Sequence, residues 1–134
     1  MPGPTGWYID EDLLDVYRVM RSARRSLGDI HGPGCECHVC PARATGDDAW
    51  LPLLAGQNWA IVTHDGFRRP GERQAIVEHG LGVYRLRWRR QLASWDRIKL
   101  AFARWDDMAE HWDATGRPFL CHVRRTGPIE SRDL

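Results

Sequence analysis

Lysine is almost missing from this chain. Lys99 is the sole lysine, although Lys+Arg total 19. The positive charge is therefore carried by arginine, a bias that fits GC-rich coding as readily as bidentate contact with phosphate. Asp+Glu total 18 and the formal net charge is +1, so charge balance alone does not mark a nucleic-acid binder. No stretch approaches the ~20 consecutive apolar residues of a membrane span. Met1-Pro2-Gly3-Pro4-Thr5-Gly6 has neither the basic region nor the apolar core of a signal peptide, and a cytoplasmic location is expected. The four cysteines are then expected as reduced thiols rather than a disulfide framework. There is no G-x-G-x-x-G after a strand and no G-x-x-x-x-G-K-[ST], so nucleotide cradles are not indicated. No Ser/His/Asp or Cys/His nucleophile arrangement stands out. With no internal repeat or linker, 134 residues fit one domain, and 43% hydrophobic residues suffice for a core.

What is present alternates. Residues 1–6 are expected as a loose leader. Trp7-Tyr8-Ile9 reads as a short buried strand running into three carboxylates, Asp10, Glu11 and Asp12. Asp12 can cap a helix to about Ser26, with Leu13, Val16, Tyr17 and Met20 on one stripe, Arg18, Arg21 and Arg25 outside, and Gly28 as the stop. Asp29-Ile30-His31 is a minimal second strand. A loop over 32–45 holds Cys35, Cys37, His38 and Cys40. A helix restarts at Thr45-Gly46-Asp47-Asp48, and Asn58 through Asp65 is the strongest strand pattern. A helix over 71–79 and a strand over 83–88 follow. The latter alternates, with Arg85, Arg87 and Arg89 on one face, as in a half-exposed strand or one leaving the sheet. A helix from Ser94 to about Asp113 carries an apolar stripe of Trp95, Ile98, Phe102, Trp105, Ala109 and Trp112. That stripe is wide in aromatics, which points to a homodimer or another covered surface. Phe119 to Val123 is the last expected strand, and 126–134 a polar tail. Such an order predicts an α/β fold: a three-layer sandwich with a central, mostly parallel sheet flanked by helices.

Two apolar strands that each deliver an aspartate at the C-terminal end, Asp10 and Asp65, suggest an acidic metal site, since ligands of parallel sheets bind there. Asp47 at a helix start is the next candidate. Carboxylates gathered from different elements suit a hard cation such as Mg²⁺ or Mn²⁺. Helix capping is the competing explanation, preferred here for Asp12 and Asp48.

The stretches YIDEDL and DDAWLPLLAGQNWAIVTHDGFRRPGERQ, followed by a Gly-flanked strand, resemble PIN-like domains of the VapC-like toxin type. The likeness covers most of residues 7–90. It implies a parallel sheet with the first strand central. It implies Mg²⁺- or Mn²⁺-dependent cleavage of RNA by the toxin of a toxin–antitoxin pair, with a cognate antitoxin as partner. On that resemblance Asp10, Asp47 and Asp65 fall on the acidic positions, Glu11 on a fourth, and Arg69 on the basic position of the turn. Gly66 and Phe67 stand where many such nucleases carry a further Asp or Asn.

The cysteine loop lies outside that pattern. Cys37 and Cys40 form a C-x-x-C knuckle with Cys35 just before it, but no second knuckle follows. Zinc would need Cys35, Cys37 and Cys40 together with His31 or the distant Cys121, and a loop of reduced thiols is the preferred expectation. The rival functional reading is a non-catalytic PIN-like module that holds RNA or protein, with a small zinc knuckle.

Overall fold

A computed structural model of the chain describes residues 3–23, 29–35, 37, 39–43 and 45–134. Strand β1 (Gly6–Ile9) enters a 3-10 turn (Glu11–Leu13) and helix α1 (Leu14–Ala23). Strand β2 (Asp29–His31) is followed by helix α2 (Asp47–Trp50), a second 3-10 turn (Leu51–Leu54) and strand β3 (Trp59–Thr63). Helix α3 (Glu72–Glu78), strand β4 (Gly82–Leu86), helix α4 (Ser94–Ala114) and strands β5 (Phe119–Val123) and β6 (Glu130–Arg132) complete the chain. The strands form one six-stranded sheet in the order β2-β1-β3-β4-β5-β6. Every pairing is parallel except β5 with β6. The expected α/β architecture, a mostly parallel sheet between helical layers, is the one observed.

Strand alternation divides the core in two. Trp7, Ile9, Ala60, Val62, Tyr84, Leu86 and Cys121 face α1 and α4. Tyr8, Ile61, Val83 and Leu120 face α2, the second 3-10 turn and α3, through Trp50, Leu51, Leu54 and Ile76. Burial on both faces explains why the strands read as continuous apolar runs. Helix α1 is fastened to the start of α4 by Arg97, whose Nε and Nη2 both donate to Asp15 Oδ2 at 2.9 and 2.6 Å.

Several expectations need correction. The described part of the leader is tied down: Gly3 N donates to Asp113 Oδ2 at 2.8 Å and Thr5 N to the Asn58 carbonyl at 3.2 Å. Asp10, not Asp12, caps the turn after β1, accepting from Glu11 N. The described helix α1 ends at Ala23, and Arg25, Ser26, Gly28 and His38 lie outside the described residues. Strand β1 is interior but not central, since β3 and β4 hold the middle of the sheet. Strand β4 pairs on both sides and has Val83, Tyr84 and Leu86 fully buried; within it only Arg85 is partly exposed. The polar tail supplies β6, a short charged edge strand of the kind that resists further pairing. On α4 the buried arc is Ile98, Ala101, Trp105, Met108 and Trp112, while Trp95 and Phe102 are 65% and 43% exposed. At roughly 100° per residue those two fall on the shoulder of the arc.

Gly82 shows how tightly β4 packs. A Cβ there would lie 2.6 Å from Trp112 Cζ3 and 2.7 Å from Phe119 Cζ. Both rings are buried and stacked edge to face, so neither can retreat. Gly82→Ala should therefore cost about 1–3 kcal/mol. Urea unfolding checks this: the midpoint should fall with the slope unchanged.

Candidate active site

The chain runs from β1 outward to β2, then crosses to the other side of β1 to form β3. Adjacent parallel strands whose connections leave in opposite directions open a crevice beyond their C-terminal ends, the general ligand site of such sheets. Asp10 stands at the end of β1, and Asp65 two residues after β3.

Thr63, fully buried, joins the two ends. Its hydroxyl lies 2.9 Å from Asp10 Oδ2 and 3.3 Å from Asp12 Oδ2, and accepts from Asp65 N at 3.0 Å. Asp12 Oδ2 also accepts from His64 N at 3.1 Å. Asp10 Oδ1 accepts from Glu11 N at 2.7 Å. Burial, reinforced by the Asp12 charge, outweighs these hydrogen bonds and pushes the Asp10 carboxyl up to about 7. Burial pushes Asp12 upward too, tempered by the His64 N and Thr63 hydrogen bonds and the His64 charge.

On the other side of the crevice, Asp47, Asp65 and Glu72 bring carboxylate oxygens within 4.8 Å of one another. Asp47 is the first residue of α2, not its cap, which is Gly46. Its Oδ1 accepts from Trp50 Nε1 at 2.7 Å, so an indole locked in the core aims the carboxylate. Burial and its carboxyl-to-carboxyl contact with Glu72 raise the Asp47 pKa. Glu72 is buried at the start of α3, and its Oε1 accepts from Arg69 N at 2.8 Å. Asp65 Oδ1 accepts from Phe67 N at 2.8 Å, closing a tight turn. Phe67 adopts a φ of 50°, and its full burial holds a conformation that bulky residues avoid. Arg73 clamps the same turn through the carbonyls of Gly66 and Phe67.

Asp47, Asp65, Gly66 and Glu72 line a cleft of about 570 Å³ with Gly46, His64, Arg68, Arg69 and Arg85. All the acidic donors are carboxylate oxygens, the ligand type of Mg²⁺ and Mn²⁺. Carboxyl groups in direct contact need a shared proton or a cation between them, so the residues present fit a divalent ion.

A second group lies at the end of β2. His31, Cys35, Cys37 and Cys40 offer donor atoms within 4.8 Å of one another. Cys121 is not among them; it is buried on β5, with its sulfur 3.7 Å from His111 Nε2.

A family model described as "PIN like domain" matches residues 8–87. The chain belongs to the PIN-like domain family. No curated protein and no solved structure matches it significantly. PIN-like domains are generally nucleases, and the six-stranded α/β architecture agrees with that membership.

Within this PIN-like domain the expected acids separate into two sets. Asp47 and Asp65 converge, and Asp10 stands near enough for the Asp47 charge to act on it. Glu11 is not in that cluster; its Oε2 lies 3.7 Å from Arg43 Nε. Arg69 lines the cleft with an exposed side chain. Sequence reading missed Glu72, because an acid at the start of a helix looks like a helix-dipole charge. It also missed Asp12, set aside as a cap.

Beside the acids the surface is basic. Arg85 Nε donates to the His64 carbonyl at 2.8 Å. His122 Nδ1 lies 3.1 Å from Arg87 Nη1 and accepts from Arg132 Nε at 3.0 Å. Burial, then the charges of Arg132, Arg87, Arg85 and Arg124, hold His122 down at about 4, so it is neutral near pH 7 and its Nδ1 is free to accept from Arg132. His64 stacks on Trp88 at 3.9 Å and 3° between planes, a packing role.

The raised Asp10 pKa has a signed consequence in metal-free protein. A carboxyl that titrates near 7 when folded binds its proton more tightly than in the unfolded chain. Its contribution is fully present below the unfolded pKa of about 3.9 and is lost as pH rises through about 7. Asp10→Asn should remove that fall. With chelator present, the variant should be more stable than wild type at pH 8, and its melting temperature should change less between pH 4 and pH 8. Equal profiles for the two proteins would show that Asp10 titrates normally.

Proposed function

We propose that this PIN-like domain is a metal-dependent endoribonuclease, the toxin component of a cytoplasmic toxin–antitoxin pair. The observation that carries the reading is the convergence of Asp47, Asp65 and Glu72, from three separate elements, beside Asp10 at the strand-order reversal. Asp47, Asp65 and Glu72 would hold the ion, with Asp10 completing the set. Bound there, Mg²⁺ or Mn²⁺ supplies charge neutralisation and water activation for hydrolysis of a phosphodiester. We assign the fourth carboxylate to Glu72 rather than Glu11, because Glu72 is inside the cluster and Glu11 faces Arg43. Glu72 thereby takes the part left open by Gly66 and Phe67. Arg69 and Arg68, which line the cleft, would meet the scissile phosphate, and Arg85, Arg87 and Arg132 the flanking RNA backbone, where guanidinium forks suit phosphate oxygens.

Among the described residues no helix is long and apolar enough to cross a membrane. The antitoxin, or a second copy of the chain, would cover the exposed shoulder of α4 at Trp95 and Phe102.

Cleavage of a generic RNA, with chelator and with Mn²⁺, tests this reading. Asp10→Asn, Asp47→Asn and Asp65→Asn should each lower Mn²⁺-dependent cleavage by about 10²-fold or more while far-ultraviolet circular dichroism stays native. Arg69→Ala should weaken cleavage less. Undiminished cleavage by the aspartate variants would end the assignment. Retention of RNA without Mn²⁺-dependent cleavage would favour the non-catalytic binding module.

A further inference from the structure

We infer that His31, Cys35, Cys37 and Cys40 bind one Zn²⁺ in a closed tetrahedral site that fastens the loop after β2 to the edge of the sheet. The sequence argument against zinc was the lack of a second knuckle. The fold removes that objection, because the end of β2 supplies the fourth donor. Cys35 Sγ lies 3.1 Å from Cys37 Sγ, Cys37 Sγ lies 3.0 Å from Cys40 Sγ, and His31 Nδ1 lies 3.8 Å from Cys35 Sγ. Ligands held about 2.3 Å (sulfur) and about 2.0–2.1 Å (nitrogen) from a tetrahedral zinc lie roughly 3.5–3.8 Å apart. The observed set needs only a small expansion to fit. The sulfurs are too far apart for a bond of about 2.05 Å, and three thiols would leave one over in any pairing. Three soft sulfurs with one imidazole select zinc over the hard cations suited to the acidic cleft.

The surroundings are built for such a site. The His31 ring stacks on Trp59 at 3.8 Å and 12° between planes, which fixes the direction of its nitrogens. Cys40 N donates to Cys37 Sγ at 3.3 Å, a backbone hydrogen bond that favours a thiolate. Gly34 N donates to the Pro41 carbonyl at 2.8 Å and Cys35 N to the Gly32 carbonyl at 3.1 Å, so the loop closes on itself around the sulfurs. Gly32 lets the loop lie against α1, since a Cβ there would meet the Tyr17 ring at 2.7 Å. Cys40 and Val39 pack on the α2–α3 core. All four donors come from the protein, so the role is structural. The clamped loop leads directly to Asp47, seven residues after Cys40, and so sets the approach of one carboxylate to the cleft.

The test uses the full chain and reads metal rather than cleavage, so it stands apart from the nuclease assignment. Purified protein should carry about one zinc per chain. After extraction and refilling with Co²⁺ it should show the thiolate charge-transfer and ligand-field bands of tetrahedral cobalt. Cys37→Ser and Cys40→Ser should lose the zinc. Cys121→Ser and Asp65→Asn should keep it, the latter excluding the acidic cleft as its location. His31→Cys should retain zinc with shifted cobalt bands, which keeps the question answerable if His31→Ala fails to fold. Wild-type protein that lacks zinc and takes up cobalt without thiolate bands would overturn the site. An unchanged cobalt spectrum in His31→Cys would overturn His31 as the fourth ligand.

Discussion

The site depends on one hydroxyl. Thr63 is the last residue of β3 and has no solvent exposure, and its Oγ1 reaches Asp10 from β1 while accepting the amide of Asp65. Strands β1 and β3 are direct neighbours, paired from Gly6 with Trp59 to Ile9 with Val62. Their ends are therefore level, and whatever the chain places one residue beyond Ile9 must face whatever follows Val62. A buried hydroxyl between two strand ends is costly unless bonded on both sides. Bonding on both sides is what aligns the two acids. The tight turn at Asp65, the left-handed Phe67 and the Arg73 clamp then carry the chain to Glu72 at the start of α3, which packs on the sheet face beside α2.

Much of this was legible because burial on both faces writes itself as plain apolar runs. Trp7-Tyr8-Ile9 and Trp59 to Thr63 could hardly be anything but interior strands, and the acids following them stood where ligands of parallel sheets bind. What stayed hidden depended on long-range register. Glu72 joins Asp47 and Asp65 only once α2 and α3 lie side by side on one face, a fact with no local signature. Asp12 looked like a cap because it precedes a helix, but a 3-10 turn intervenes and Asp10 takes that part. His31 was visible as one of two possible fourth zinc ligands, but only the fold chooses it over Cys121: strand end and loop meet once β2 pairs with β1 and Trp59 supplies a stacking surface. Strand β6 escaped notice because an exposed edge strand has no apolar alternation to show.

The near-absence of lysine acquires a physical meaning beside the acids. Arg68 and Arg85 line the cleft, and Arg87 and Arg132 hold the neutral His122. Burial, then the charges of Arg87 and Arg68, lower the pKa of Arg85. A lysine with a reference near 10.4 loses its proton readily under such pressure, whereas a guanidinium, starting above about 12, stays charged. Arginine can therefore be packed densely and still present a positive surface. It can also spend one nitrogen on structure, as Arg85 does at the His64 carbonyl, and keep others for a phosphate. Carboxylates and guanidiniums line the same cleft, and the Asp65 charge acts on Arg85, while Asp47, Asp65 and Glu72 remain turned toward each other. On the proposed function, a phosphodiester arriving with a divalent ion would meet both charge sets at once.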